Sequence, residues 1–219
     1  IGKKNEWSLD GKYHFRIKNR GLAYAMDKLN LKDKDKIIFF DTDTYFHKSP
    51  LPLFDLILPN QALLYINEGF IYKRKRFNVY VRNLEGERIE INNDFYELSK
   101  KSSLWGSLMI GIMPSMRHSL DWADSLMLKF YEMVPAHTIE EFSLSETLSK
   151  NYKLAEGKNF VSLYSTSRKK AFAREALSNF FRSTELLRLE DKINLAQKVK
   201  IKRPFFVILK QRYLRIFNK

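Results

Sequence analysis

The chain has 219 residues, of which 44% are hydrophobic and 14% aromatic, and these fractions suffice for a packed core and exclude wholesale disorder. It contains no cysteine, which excludes a disulfide framework, a thiolate zinc site and a cysteine nucleophile. The net charge of +14 is uneven, because residues 192–219 hold nine basic side chains and no acidic one, whereas the first 191 residues hold 30 basic against 25 acidic side chains.

The first half of the chain predicts one helix, two strands and a hairpin. Residues 16–29 place apolar side chains at helical spacing on one face. The apolar run 37–40, IIFF, stands between a polar loop and a turn and predicts a buried parallel strand. Residues 62–66 predict a second strand, and the alternating segments 77–82 and 89–91 predict a β-hairpin.

The second half continues the alternation of strands and helices. Residues 107–113 predict a buried strand that ends at Pro114. Helices are predicted over 116–133 and 139–150, each with Ser or Thr near its start, and over 166–190. This order of elements indicates a layered α/β fold.

The most informative segment is 37–54, IIFFDTDTYFHKSPLPLF, in which an apolar strand ends in Asp41-Thr42-Asp43. In open α/β sheets, ligands bind in the crevice beyond the carboxyl ends of the strands. Two carboxylates one residue apart can both reach one hard cation, which takes oxygen ligands and keeps bound waters and substrate phosphates. Aspartate is also a common turn residue, so a solvated turn is the alternative.

This segment resembles the nucleotide-sugar glycosyltransferases of the GT-A fold, in which a hydrophobic strand runs into D-x-D, an aromatic residue and an S-P-L-x-x-L/F stretch. Three later segments, Trp105–Ile112, Ile139–Ser145 and 163–181, are similar in the same order to the donor-sugar strand, the helix start that closes the active site, and the terminal element of that family. The chain departs from the family pattern at Gly106, where an asparagine is common, and at Leu163, where some members have a histidine ligand.

The resemblance implies a fold and its extent. We expect a GT-A-like, Rossmann-related mixed sheet flanked by helices over residues 1–190 and a basic, amphipathic C-terminal extension over residues 191–219. The family places its first nucleotide-binding β-α-β unit before the D-x-D strand, whereas only 36 residues precede the IIFF strand here. We therefore expect either that the N-terminal nucleotide-binding part is truncated or that the fold is abbreviated.

The resemblance also implies a reaction. A sugar would pass from a nucleoside-diphosphate sugar, expected to be a UDP-sugar, to a saccharide acceptor that is free or lipid-linked. Mn²⁺ or Mg²⁺, held by Asp43 and Asp41, would neutralise the departing diphosphate. Asp41 and four further residues are the expected donor and diphosphate contacts: Lys18, Arg20, Ser107 and Lys169.

An inverting transferase also needs a general base near the acceptor hydroxyl. Glu140 and Glu141 are the candidates, because they stand where the family's helix closes the active site. Glutamate in a first helical turn also stabilises the helix through the macrodipole, so a purely structural role is the alternative.

The basic tail suggests a second kind of partner. From Pro204 onward, aromatic and aliphatic residues share one face of a predicted helix, which fits attachment to an anionic membrane surface or packing on the catalytic body. Nucleic acid is not an expected partner, because no helix-turn-helix, zinc or RNA-binding motif accompanies the charge. The expected location is the cytoplasm, peripheral to the inner face of the cell membrane.

Two other functions remain open from the residues alone. A haloacid-dehalogenase-type phosphatase would use Asp41 as nucleophile and Asp43 as acid and base, but the later acids Asp121 and Asp124 fall within a predicted helix. A non-catalytic membrane-surface binding module would use the two aspartates only as turn residues.

Overall fold

The computed structural model describes residues 3–164, 166–196 and 198–201. The helices of this part are α1 (Lys4–Trp7), α2 (Arg16–Lys28), α3 (Asn78–Leu84), α4 (Arg117–Met133), α5 (Ile139–Asn151), α6 (Ser167–Ser183) and α7 (Leu189–Ala196). The strands are β1 (Ile37–Phe40), β2 (Thr44–Phe46), β3 (Gln61–Phe70), β4 (Arg88–Ile91), β5 (Asp94–Glu97), β6 (Ser103–Ile112), β7 (Lys153–Glu156) and β8 (Val161–Leu163). The chain divides into two compact units, Ile1–Thr42 with Phe46–Val161, and Asp43–Tyr45 with Ser162–Lys219.

The first unit is built on a mixed four-stranded sheet with the strand order β1-β6-β3-β7. Strand β6 is antiparallel to both of its neighbours, and β3 and β7 are parallel. Helices α2, α4 and α5 contribute to a core cluster with β3 and β6. The expectation of an α/β fold with a mixed sheet flanked by helices is therefore confirmed. Two further pairs of strands, β2 with β8 and β4 with β5, form small sheets.

Strand β6 is an interior strand of the sheet, and its sequence explains why. Residues from Gly106 to Ile112 are all buried, which suits a strand covered on both faces. Gly111 is required there, because a Cβ at this position would lie 2.7 Å from Cδ1 of Ile57 and 2.9 Å from Cβ of Leu63. The glycine thus lets β3 and the preceding segment pack closely on β6.

Two predictions about strands are wrong. β1 is antiparallel to β6 and half-buried along its whole length, because it lies at one end of the strand order instead of between parallel neighbours. The predicted hairpin over 77–82 and 89–91 is instead the helix α3 followed by the hairpin β4–β5. The helix forms in place of a strand because Phe77, Tyr80 and Leu84 recur at helical spacing and bury their side chains in one core cluster.

The other elements follow the sequence patterns more closely. Helices α2, α4 and α5 lie within one or two residues of their predicted bounds. The helix predicted over 166–190 is interrupted between α6 and α7. Among the described residues, no helix combines the length and the hydrophobicity needed to cross a bilayer. The predicted amphipathic helix from Pro204 onward lies outside the described residues.

Candidate functional site

Five polar side chains of the first unit converge beside the carboxyl end of β1. The backbone N–H of Asp41, the residue after β1, donates to the carbonyl oxygen of Leu108 at 2.9 Å and so keeps Asp41 against β6. Lys18 comes from α2, Ser107 from β6, and Glu140 and Glu141 from the first turn of α5. We call this set, made of Lys18, Asp41, Ser107, Glu140 and Glu141, the carboxylate–lysine cluster.

Lys18 joins the members of this cluster. Its Nζ lies 3.0 Å from Oδ2 of Asp41 and 3.7 Å from Oε2 of Glu140, and it donates to Oγ of Ser107 at 3.1 Å. Burial lowers the pKa of Lys18, but the charges of Glu140 and Asp41 outweigh burial and leave that pKa above its ordinary value. Lys18 therefore stays protonated and acts as the counter-ion of the cluster.

Glu140 is the most deeply buried acid of the cluster, with a relative exposure of 1%. Its Oε2 accepts a hydrogen bond from Oγ of Ser107 at 3.0 Å, whereas its buried Oε1 has no hydrogen-bond partner among the described residues. Burial raises the pKa of Glu140 to about 8, against the lowering effect of Lys18. A carboxyl group with such a pKa exchanges a proton near neutral pH.

Glu141 is only partly buried and is held less tightly. The backbone N–H of Ser107 approaches its Oε1 at 3.5 Å, a distance at the outer limit of a hydrogen bond. Burial raises the pKa of Glu141, the charge of Lys18 lowers it, and the nearby charge of Glu68 raises it further. Glu141 therefore combines a raised pKa with access to solvent.

Two tyrosines fix the first turn of α5, which carries both glutamates. The hydroxyl of Tyr13 accepts from the backbone N–H of Glu140 at 3.0 Å and donates to the carbonyl oxygen of His137 at 3.0 Å. The hydroxyl of Tyr80 is hydrogen-bonded to Oγ1 of Thr138 at 2.7 Å. Both tyrosines are buried, and burial raises the pKa of each hydroxyl, so they remain protonated.

A pocket of about 490 Å³ opens next to the two glutamates. Its volume lies within the usual range of small-molecule sites, roughly 300–1,000 Å³. Aromatic rings, carboxyl groups and one guanidinium form much of its lining, which includes Phe15, Phe77, Tyr80, Glu68, Arg76, Glu140 and Glu141. Arg76 and Glu68 form an ion pair at 2.8 Å.

Arg20, Asp43 and Lys169 are predicted site residues that lie outside this cluster. Nη1 of Arg20 lies 3.7 Å from carboxylate oxygens of Asp121 and of Asp124, both on α4. In the second unit, Asp43 forms an ion pair with Lys170 at 3.2 Å, and Nζ of Lys169 lies 3.5 Å from the carbonyl oxygen of Leu163. Asp121 and Asp124 are helical, as the sequence predicted.

The predicted metal ion would depend on the carboxyl groups of Asp41 and Asp43. Among the described residues, no group of three or more His, Asp or Glu side chains could hold a metal ion. The two D-x-D carboxylates nevertheless offer hard oxygen ligands at partial exposure, 27% for Asp41 and 24% for Asp43. Their chemistry fits Mg²⁺ or Mn²⁺ if water and a diphosphate supply the other ligands. Within the first unit Asp41 is paired with Lys18, and within the second unit Asp43 is paired with Lys170.

The sequence did not single out several residues that shape the site. Tyr13 and Tyr80 position α5 although they are distant from it in the chain, and Phe15, Phe77 and Arg76 line the pocket. No local motif identifies these residues, because their relation to Glu140 arises from contacts between segments that are far apart in the chain.

Comparisons with known proteins do not assign the chain to a family. No family model, curated protein or solved structure matches it.

Proposed function

We propose that this chain is a GT-A-like glycosyltransferase that moves a sugar from a nucleoside-diphosphate sugar to a saccharide acceptor. The observation that carries the proposal is the carboxylate–lysine cluster. It brings Asp41 of the D-x-D motif together with Glu140 and Glu141, which are about one hundred residues away in sequence, beside a pocket of ligand size. These are the residues that the resemblance to the GT-A family marks for the donor and the acceptor.

The two glutamates have different roles in this proposal. Glu141 is the general base, because it lines the pocket, is partly exposed and has a raised pKa, which lets it take a proton from an acceptor hydroxyl. Glu140 is a positioning residue, since it is buried, accepts a hydrogen bond from Ser107 and lies 3.7 Å from Nζ of Lys18. Ser107 in turn places a backbone N–H toward Glu141.

The positive charge of the site stabilises the leaving group in this proposal. The departing diphosphate gains negative charge as the glycosidic bond to the donor breaks, and fixed cations stabilise that charge. Lys18 carries a cation that remains charged at neutral pH beside Asp41. A divalent ion held by the D-x-D carboxylates, when bound, would supply further Lewis-acid stabilisation of the diphosphate.

Thermal unfolding with nucleotides tests the proposal directly. A ligand that binds only the folded state raises the midpoint of unfolding. We expect a nucleoside diphosphate with Mn²⁺ or Mg²⁺ to raise it, and UDP-sugars to be hydrolysed slowly. If no nucleoside diphosphate shifts the midpoint with either ion, the transferase proposal fails. Release of phosphate from simple esters would favour the phosphatase.

The substitution Asp43→Ala tests the metal role. We expect sugar-nucleotide turnover to fall at least about a hundredfold, because one oxygen-ligating carboxylate is lost, while the fold is retained. Asp55→Ala is the matched control, since Asp55 is an exposed aspartate twelve residues further along the chain. Full turnover by a folded Asp43→Ala enzyme would end the proposed metal role.

A further inference from the structure

The pocket beside Glu140 and Glu141 has a charge pattern opposite to that of the whole chain. The chain carries a net charge of +14, yet the lining of the pocket contains three carboxyl groups and one guanidinium. The guanidinium of Arg76 is already paired with Glu68 at 2.8 Å, and Nζ of Lys18 lies 3.7 Å from Oε2 of Glu140, so Glu141 supplies the remaining negative charge of the lining. The pocket therefore favours a cation over an anion.

Glu140 provides a second, independent observation. It lines the pocket, it is buried, and its Oε1 has no hydrogen-bond partner among the described residues. A buried polar atom without a hydrogen-bond partner destabilises the fold. A ligand that brings hydrogen-bond donors to this wall of the pocket would remove that destabilisation.

Two aromatic rings of the lining already contact cations of the protein itself. Nζ of Lys18 lies 5.8 Å from the centroid of the Phe15 ring, and the guanidinium carbon of Arg76 lies 4.6 Å from that of Phe77. The negative face of an aromatic ring attracts a positive charge at such distances. Both rings line the pocket.

We infer that this pocket binds a saccharide through a protonated amino group, so that the acceptor is an amino sugar. The inference rests on the proposed function for the saccharide nature of this ligand and for its role as the acceptor. An ammonium group is a cation with three hydrogen-bond donors. It can form an ion pair with the carboxyl group of Glu141 and also bond to Oε1 of Glu140, whereas a neutral hydroxyl group supplies only the hydrogen bond.

The test is a ligand titration followed by NMR, without nucleotide or metal. The probes are glucosamine, glucose and N-acetylglucosamine, which differ in the charge at one ring position. We expect the dissociation constant of glucosamine to be at least about tenfold below those of the two neutral sugars, a ratio that corresponds to about 1.4 kcal/mol.

Three variants locate the binding site. Glu141→Gln and Glu68→Gln each remove one carboxylate from the lining and should reduce the preference for glucosamine to less than about threefold. Glu146→Gln is the control, because Glu146 is partly buried like Glu141 but lines a different pocket, where Tyr96 and Ser102 donate to it. This variant should keep the preference. Circular dichroism verifies that each variant is folded.

The inference is overturned if the wild-type protein binds glucosamine no more tightly than glucose, or if a folded Glu141→Gln variant keeps the full preference. These outcomes do not depend on the nucleotide experiments. A protein that binds nucleoside diphosphates but not glucosamine would retain the proposed function and lose this inference, and the converse result would retain amine binding without a transferase.

Discussion

At the scale of single residues, Glu140 makes the stability of the fold depend on pH. Burial raises its pKa to about 8 in the folded protein, whereas the unfolded chain has the ordinary glutamate pKa of roughly 4.3. The folded state therefore binds this proton more tightly. The extra free energy of unfolding that this bound proton supplies is fully present below the pKa of the unfolded chain. It is lost as the pH rises through the pKa of the folded protein.

We expect Glu140→Gln to weaken this loss of stability. Between about pH 6 and about pH 9, the free energy of unfolding of the wild-type protein should fall by about 2–3 kcal/mol more than that of the variant. Urea unfolding at both pH values measures the difference. Glu90→Gln, which removes an exposed carboxylate from β4, is the control and should behave like the wild-type protein. Equal falls in the wild-type protein and Glu140→Gln would contradict this role of Glu140.

Lys18 should be needed for stability as well as for charge. Its side chain is 13% exposed and contacts Asp41 and Glu140, so Lys18→Met leaves two carboxyl groups without their ammonium partner. Removing one partner of a buried ion pair typically costs about 3–5 kcal/mol. We expect a smaller loss, of about 1–3 kcal/mol, in urea unfolding at neutral pH, because Glu140 can take up a proton and Asp41 is partly exposed.

A double variant tests the coupling between the two residues. Glu140→Gln removes the buried carboxyl group that Lys18→Met leaves without its ammonium partner, so the double variant should recover part of the lost stability. The interaction energy between contacting residues is usually about 0.5–3 kcal/mol. Strictly additive free energies would show that Lys18 and Glu140 do not act as a pair.

At the scale of elements, two glycines should respond to alanine in opposite directions. Gly21 lies in α2, and a Cβ there would meet nothing within 4 Å, so Gly21→Ala should stabilise the protein by roughly 1 kcal/mol through helix propensity. Gly111 lies in β6, and a Cβ there would collide with Ile57 and Leu63. Gly111→Ala should therefore cost about 1–3 kcal/mol through overpacking.

Thermal or urea unfolding of both variants measures this contrast. Each variant is a control for the other, because both replace a glycine by the same residue in the same chain. A neutral Gly111→Ala variant would show that β6 can move away from β3 at little cost. The glycine would then not be required by the close packing of the sheet.

The elements also show where sequence patterns suffice. Helices α2, α4 and α5 were predictable because each is long enough for its apolar face to recur several times. Helix α3 was missed because it is only seven residues long. Phe77, just before it, and Val79 and Val81 within it also fit the alternation of a strand. Strand β7 was missed because only Leu154 and Ala155 in it are apolar.

At the scale of the whole molecule, the basic C-terminal segment remains a prediction from sequence. Residues 204–219 contain four basic side chains and no acidic one. Each basic side chain near an anionic membrane contributes on the order of 1 kcal/mol of binding free energy. Deletion of this segment should weaken binding to phosphatidylglycerol vesicles at least about tenfold and leave sugar-nucleotide turnover largely unchanged.

Vesicle sedimentation measures this binding. A double variant, Lys73→Gln with Lys75→Gln, is the control, because it neutralises two exposed lysines elsewhere in the chain and should sediment like the wild-type protein. Unchanged sedimentation after the deletion would remove the membrane-binding role of residues 204–219.

The site was predictable only in part. The D-x-D motif and the acidic start of α5 can be identified in the sequence, because each is a local pattern after a strand or at a helix start. The sequence did not indicate that Arg20 lies against α4 or that Lys18 pairs with both Asp41 and Glu140. These pairings depend on which faces of α2, α4 and α5 meet.

The sequence by itself determined the α/β class, the helices α2, α4 and α5 and the acidic residues after β1, because periodicity and composition act over a few neighbouring residues. Only the tertiary structure decided the antiparallel pairing of β1, the burial of Glu140 and the pocket lined by distant segments. The physical reason is that strand order, desolvation and ion pairing depend on contacts between residues far apart in the chain, and no local pattern encodes those contacts.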